Sequence, residues 1–125
     1  MKYLLDTHAL IWYSEHSGKL SPKAEKIIDD SENTIYVSVV SLWEIAIKVS
    51  LGKLEISLGD LIDKLGEVGF KVLQIDNSYL RHLLVLSQIH KDPFDRLIIA
   101  TAQAEGITLI TADENIHKYD VKWIW

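Results

Sequence analysis

Four carboxylates stand far apart in the chain, each beside the boundary of an apolar stretch. Asp6 and Asp113 each follow a short apolar run, whereas Glu44 and Asp95 lie near the beginnings of two amphipathic stretches. Clustered carboxylate oxygens are the ligands that Mg²⁺ and Mn²⁺ prefer in proteins. If the fold brings these four side chains together, they can hold such a cation.

The elements that must position these acids are short strands alternating with helices. The apolar pattern predicts strands over 2–5, 35–39, 70–75, 107–110 and 121–125. It predicts helices over 9–13, 22–28, 41–52, 58–68, 79–89 and 93–106. Such alternation produces a mostly parallel sheet with helices on both faces. We therefore expect an α/β fold, a three-layer α/β/α sandwich.

A parallel sheet of this kind places the four acids on one side. The carboxyl ends of its strands share one edge, where the following helices begin and where ligands bind. Asp6 and Asp113 end strands, whereas Glu44 and Asp95 lie in the first turns of predicted helices. We therefore expect all four side chains to meet at this edge.

Each acid taken alone has a simpler interpretation as a helix cap. Carboxylates at helix N-termini accept backbone N–H bonds and favour the helix dipole, typically by ~1 kcal/mol. The segment 41–44 fits a capping box, and Asp92 followed by Pro93 fits an N-cap. Four carboxylates at one edge, however, repel one another unless a cation is present. The complete set therefore favours a metal site over four independent caps.

The composition predicts a single domain over 1–125. Of 125 residues, 48% are hydrophobic, which suffices for one buried core. There is no cysteine, which excludes disulfides and thiolate zinc sites. Asp6 interrupts the apolar N-terminus before a secretion signal forms, and no stretch reaches the ~20 apolar residues of a membrane span. We expect a soluble, cytoplasmic protein.

The net charge weighs against a nucleic-acid partner. The 13 basic and 18 acidic residues give a formal charge of −5, whereas phosphate binding usually requires a basic surface. Counting four acids as metal-bound changes −5 to −1, and the cations place positive charge where phosphate would lie. The acidity is then a weaker objection.

Four short motifs resemble those of PIN domains and stand in the same order along the chain. They are LLDTH at 4–8, SLWEI at 41–45, DPFDR at 92–96 and LITAD at 109–113. The likeness extends from Lys2 to Trp125. It is similar in particular to the VapC-type toxins of prokaryotic toxin–antitoxin pairs.

This resemblance implies a function for the expected metal site. It implies an acidic quartet at Asp6, Glu44, Asp95 and Asp113, with Mg²⁺ or Mn²⁺ as cofactor and RNA as substrate. Two such ions ~3.5 to 4 Å apart can activate water and stabilise an in-line displacement at phosphorus. We therefore expect a metal-dependent endoribonuclease that leaves a 5′-phosphate and a 3′-hydroxyl. The resemblance also implies a homodimer and a separately encoded antitoxin that blocks the acidic edge.

Residues beside the four acids each have more than one interpretation. Asp92 either holds a second ion through water or caps its helix, and we favour the cap. Thr7, Ser38 and Thr111 either orient the ligands and their water or cap helices and turns. Arg96 either contacts a phosphate or orients a carboxylate, and the alternative is ordinary surface charge.

Other side chains near the motifs have a small expected role in the site, or none. His8 and His90 receive no role, because hard-cation sites do not need imidazole. Trp12 and Trp43 either stack on an unpaired base or pack in the core, and we favour the core. The helical hairpin over 10–28 is a candidate partner surface.

Other proteins that use an aspartate after the first strand fit less well. An aspartyl-phosphate phosphatase needs a second acid two residues later, where this chain has His8. A receiver domain needs an early acidic pair and a late lysine, and neither pattern occurs. A non-catalytic RNA-binding or scaffold protein on the same fold is the remaining alternative, because fold alone does not determine function.

Overall fold

The centre of the fold is a five-stranded parallel sheet, seen in a computed structural model that describes residues 1–125. The strands are β1 (Lys2–Leu5), β2 (Thr34–Ser38), β3 (Lys71–Leu73), β4 (Thr108–Ile110) and β5 (Trp123–Ile124). Their order across the sheet is β3-β2-β1-β4-β5, and every neighbouring pair is parallel. Since β1 is central, its carboxyl end lies in the middle of the sheet edge.

Six helices cover the two faces of this sheet, as the alternating pattern predicts. They are α1 (Thr7–Ser14), α2 (Pro22–Asp29), α3 (Val39–Ser50), α4 (Leu58–Glu67), α5 (Asn77–Leu84) and α6 (Pro93–Glu105). A short 3₁₀ turn follows at Ile116–Lys118. Residues of α1, α2, α3 and α4 share one core cluster, whereas α6 supplies a second. The predicted three-layer α/β/α fold is confirmed.

Alternate side chains of β1 join the two core clusters. Tyr3 and Leu5 belong to the cluster under α1 to α4, and Leu4 belongs to the cluster under α6. Leu4 and Leu5 are completely buried. A strand covered on both faces is apolar throughout, and the polar sequence therefore resumes only at Asp6, beyond the sheet.

Helix α3 begins earlier than the capping pattern predicts. It starts directly after Ser38, whose hydroxyl accepts the Val40 N–H at 3.0 Å, and Ser41 lies inside the helix. Val40 packs against Tyr79 and Leu97, which offsets the weaker helix propensity of a β-branched residue. Glu44 consequently lies in the second turn of α3 and not in the first.

The predicted strands near the sheet edges are longer than the observed ones. The stretch 70–75 forms only the three-residue β3, and 121–125 forms only the two-residue β5. Helix α5 also ends at Leu84, whereas the pattern predicts helix to 89. No helix has the length and apolar character needed to cross a membrane.

Candidate metal centre

Asp6 lies at the carboxyl end of the central strand and caps α1. Its Oδ1 accepts the Ala9 N–H at 2.8 Å, and its Oδ2 accepts the Thr111 hydroxyl at 2.5 Å. The residue is 2% exposed. Burial raises the pKa of Asp6, and the hydrogen bond from Thr111 opposes that rise. Both oxygens are held, so the carboxylate has a fixed orientation.

Glu44 reaches the same edge from α3 and is buried as well. Its Oε2 pairs with Lys48 Nζ at 3.1 Å, one helical turn further on. Its Oε1 is buried and has no hydrogen-bond partner. A buried carboxylate oxygen without a partner is costly. Glu44 therefore retains a free acceptor inside the site.

Asp95 lies in the first turn of α6, behind the N-cap Asp92. Asp92 Oδ1 accepts the Phe94 N–H at 2.8 Å and the Asp95 N–H at 3.0 Å. Burial raises the pKa of Asp95 to about 7. The negative charges of Asp92, Asp6 and Glu44 add to that rise. The negative charges of three neighbouring acids therefore act on the Asp95 carboxylate.

Asp113 follows β4 and completes the set. Its Oδ1 accepts the Asn115 N–H at 2.8 Å, and its Oδ2 lies 2.9 Å from His90 Nε2. Burial acts to raise the pKa of Asp113, but the hydrogen bonds from His90 and Asn115 outweigh it, and the pKa is lowered. The charge of Asp113 also acts on Asp6. The structure therefore brings the four acids together at the edge of the sheet.

His90 is a site residue that the sequence reasoning missed. Its Nε2 lies 2.9 Å from Asp113 Oδ2 and 3.1 Å from Asp95 Oδ2, while its Nδ1 accepts the Asp92 N–H at 3.1 Å. Its sequence position alone gave His90 no role, because hard cations prefer oxygen ligands to imidazole. Its position two residues before Asp92, within reach of the same motif, is the one signal that the sequence offered.

Arg96 contacts no carboxylate and holds the segment 86–90 that carries His90. Its Nη1 donates to Ser87 O at 2.9 Å and to His90 O at 3.4 Å. The Tyr119 hydroxyl donates to Ser87 O at 2.8 Å and accepts the His90 N–H at 2.7 Å. Because these groups capture the backbone of 86–90, the chain leaves the helical path after α5.

The three hydroxyls that the sequence places near the acids have different partners. Thr111 donates to Asp6, as described above. Thr7 donates to Ser41 Oγ at 3.0 Å and so joins α1 to α3, and Ser38 caps α3. Among these three, only Thr111 touches an acid of the site.

The side chains at this edge fit a hard divalent cation. The ligand atoms that the four acids offer are all carboxylate oxygens, which Mg²⁺ and Mn²⁺ favour. The unpartnered Glu44 Oε1 gains a partner if a cation binds, and the ionised form of Asp95 is then favoured. A cation therefore offsets the two costs that this cluster carries.

Of the two tryptophans near the acids, one differs from its predicted place in the core. Trp43 is 56% exposed, so its predicted core packing is wrong. Its ring meets the Phe94 ring edge-on, with centroids 4.9 Å apart. Trp12 does pack partly against the core, where it contacts Trp125 with ring centroids 5.7 Å apart.

The apolar side of the hairpin over 10–28 is not a free surface. Leu10, Leu20 and Ile28 are buried in the cluster under α1 to α4. The most exposed apolar side chains lie at the end of α5, where Leu84 and Val85 are 85% and 82% exposed. These apolar residues of the hairpin therefore form part of the core, and its use as a partner surface stays a prediction.

Comparison with protein families gives one match along nearly the whole chain. The family model of the PIN domain matches residues 3–122. The chain is also similar to Ribonuclease VapC22 of Mycobacterium tuberculosis, with 29% identity over 119 residues that cover 93% of this chain and 90% of that protein.

Solved structures share the same fold. VapBC2 of Rickettsia felis, bound to a DNA fragment from its promoter, superposes with a TM-score of 0.78 at 20% identity, covering 100% of this chain and 99% of that chain. A toxin–antitoxin complex of Klebsiella pneumoniae has a TM-score of 0.66 at 19% identity, covering 98% of this chain and 96% of that one.

Proposed function

Because the chain belongs to the PIN-domain family, we propose that it is a metal-dependent endoribonuclease and the toxin of a toxin–antitoxin pair. A relative along nearly the whole chain is named a ribonuclease. The observation that carries the proposal is the convergence of four carboxylates, one with a buried oxygen that lacks a partner. A domain that only bound RNA would gain nothing from this costly arrangement.

The four acids have distinct parts in the proposed reaction. A Mg²⁺ or Mn²⁺ ion held at this site would activate water and stabilise the charge that develops at phosphorus. Asp6 and Asp95 would be its central ligands, and Glu44 and Asp113 would complete the site directly or through water. Thr111 keeps the Asp6 carboxylate in place through its hydrogen bond to Oδ2. RNA is cut by water, which leaves a 5′-phosphate and a 3′-hydroxyl.

The surroundings of the acids suit an unpaired RNA segment. Trp43 precedes Glu44 and presents an exposed ring, and unpaired bases stack on such rings. Lys91 is exposed beside the 92–96 motif and supplies positive charge for the phosphate backbone. These features support single-stranded RNA as the substrate, in spite of the net negative charge.

The partners follow from the same proposal. An antitoxin covers the acidic edge, as supported by the likeness to a toxin–antitoxin complex. A second copy of the chain covers Leu84 and Val85, because apolar side chains this exposed to water gain stability when an interface covers them. Light scattering of the purified chain tests the homodimer, and a monomer at micromolar concentration contradicts it.

Cleavage of a mixed RNA substrate tests the catalytic proposal. We expect cleavage in Mn²⁺ or Mg²⁺ and none in EDTA, with loss of activity in Asp6→Asn and Asp95→Asn. Asparagine at position 6 still caps α1, so that variant stays folded. The matched control is Asp63→Asn, which alters an exposed acid of α4 and leaves cleavage unchanged. Products with a 2′,3′-cyclic phosphate formed in EDTA contradict the mechanism, and folded wild-type protein without cleavage of any RNA points to a binding module.

A further inference from the structure

His90 makes three polar contacts within the metal centre, and together they define its protonation pattern. Its Nδ1 accepts the backbone N–H of Asp92. A nitrogen that accepts a hydrogen bond carries no hydrogen, so the hydrogen of the neutral ring is on Nε2. That hydrogen faces Asp113 Oδ2 at 2.9 Å and Asp95 Oδ2 at 3.1 Å. His90 is therefore a donor shared by two acids.

This arrangement makes His90 unsuitable as a metal ligand. A ligand needs the lone pair of Nε2, which requires the hydrogen to move to Nδ1. A hydrogen on Nδ1 would point at the Asp92 N–H, and two donors would then face each other. The backbone of His90 is also fixed, because the Tyr119 hydroxyl accepts the His90 backbone N–H at 2.7 Å. A turn of the ring would break the hydrogen bond from the Asp92 N–H to Nδ1.

The hydrogen on Nε2 and a cation compete for the same place. Asp95 Oδ2 and Asp113 Oδ2 both point at Nε2, and the three atoms lie within 4.8 Å of one another. A cation that bridges the two oxygens on the side of Nε2 meets this hydrogen, which repels it. The hydrogen and a cation in that position therefore exclude one another.

We propose that His90 is a positioning residue that bridges Asp95 and Asp113 in the absence of a cation and releases them when one binds. It thereby lowers the affinity for the cation without ligating it. The inference rests on the proposed function for its cation, but the bridge itself does not depend on RNA cleavage.

The hydrogen position can be measured on the unaltered protein. Long-range ¹H–¹⁵N spectra of the histidine rings in EDTA distinguish the two neutral forms, and the His90 signal is assigned by its loss in His90→Gln. We expect hydrogen on Nε2 without cation, and a shift of this signal on addition of Mg²⁺. Hydrogen on Nδ1 in EDTA, or a ring that does not respond to Mg²⁺, overturns the proposal.

Calorimetric titration with Mn²⁺ alone measures the competition. We expect His90→Ala to bind Mn²⁺ about threefold to tenfold more tightly than wild type, since a hydrogen bond no longer opposes the cation. His90→Gln keeps a side-chain donor and falls between the two. The control, His82→Ala on α5, binds like wild type. Unchanged or weaker binding by folded His90→Ala overturns the proposal, and weaker binding identifies His90 as a ligand.

The two proposals fail in different ways. Wild-type protein that binds no Mn²⁺ contradicts both the metal-dependent function and the release by His90. Tight binding of Mn²⁺ with the expected change in His90→Ala, but no RNA cleavage, contradicts the proposed function alone.

Discussion

The candidate metal centre has an inner pair of acids, Asp6 and Glu44, and an outer pair, Asp95 and Asp113. The inner acids are 2% and 6% exposed, and the outer side chains are 13% and 28% exposed. Asp6 is held by Thr111 and by its own helix, and Glu44 by Lys48 of its own helix. The outer acids are instead joined by His90, which belongs to neither of their elements.

This difference separates two ways of building a site. The inner acids are the more deeply buried pair, and they are oriented by the helix that each caps or belongs to and, for Asp6, by the Thr111 hydroxyl. The outer acids depend on an irregular segment, 86–90, that side chains from distant positions hold in place. Substitutions in the two pairs should therefore act differently on catalysis, on pH dependence and on local mobility.

The largest expected effect is a difference between the two pairs in how far a substitution lowers the cleavage rate. We expect Glu44→Gln to lower metal-dependent cleavage about a thousandfold, equivalent to about 4 kcal/mol of transition-state stabilisation. Asp113→Asn, in the more open pair, should lower it about 10- to 100-fold. Single-turnover cleavage rates in saturating Mn²⁺ measure both, with exposed Glu67→Gln as the control. Equal losses in the two variants remove the distinction between inner and outer acids.

A smaller effect concerns the stability of the cation-free protein. The pKa of Asp95 is raised to about 7 in the folded protein, against an ordinary value of 3.8. Between these values the folded chain binds more protons than the unfolded chain, so the free energy of unfolding falls as pH rises from about 4 through about 7. We expect a loss of roughly 1 to 3 kcal/mol from this group.

Urea unfolding in EDTA at pH 5 and pH 7.5 measures this loss, and comparison with Asp95→Asn isolates it. The variant should show the flatter dependence on pH. Adding Mn²⁺ to wild type should reverse the trend, because protonation of a ligand opposes the cation. A slope that is the same in wild type and Asp95→Asn contradicts the assignment of the raised pKa to this group.

The smallest expected effect is confined to the outer pair. Replacing Arg96 by lysine removes the forked contacts to the carbonyls of 86–90 and should cost about 1 kcal/mol. Hydrogen exchange of the His90 amide should accelerate, while exchange of the Ala9 amide, which Asp6 accepts, should not change. Arg81→Lys, an exposed substitution on α5, is the control. Faster exchange at both amides indicates global destabilisation instead.

The same division explains what the sequence could and could not predict. Asp6 follows an apolar strand directly, so the order of residues alone places it at the sheet edge. His90 depends on Tyr119, which lies 29 residues further along the chain and binds its backbone. No local pattern encodes such a contact. The predicted helix over 79–89 likewise continued past Leu84, because apolar periodicity does not reveal the hydrogen bonds from Arg96 to the carbonyl groups of this segment.

The exposure of Trp43 was missed for a related reason. An aromatic residue in an apolar helix usually points inward, and its neighbours on α3, Leu42 and Ile45, do so. Glu44 occupies a buried position that the pattern would assign to an apolar side chain, because it faces the other acids. The amphipathic pattern of α3 is therefore least informative where the helix serves the site.

The pairing of β1 with β4 has a consequence for the order of events during synthesis. The hydrogen bond from Thr111 to Asp6 joins residues 105 positions apart, and contacts of such long range form late in folding. Synthesis makes Asp6 well before Asp113. The acid cluster is therefore incomplete on the ribosome until Asp113 has emerged, and the site that we propose for RNA cleavage cannot form before then.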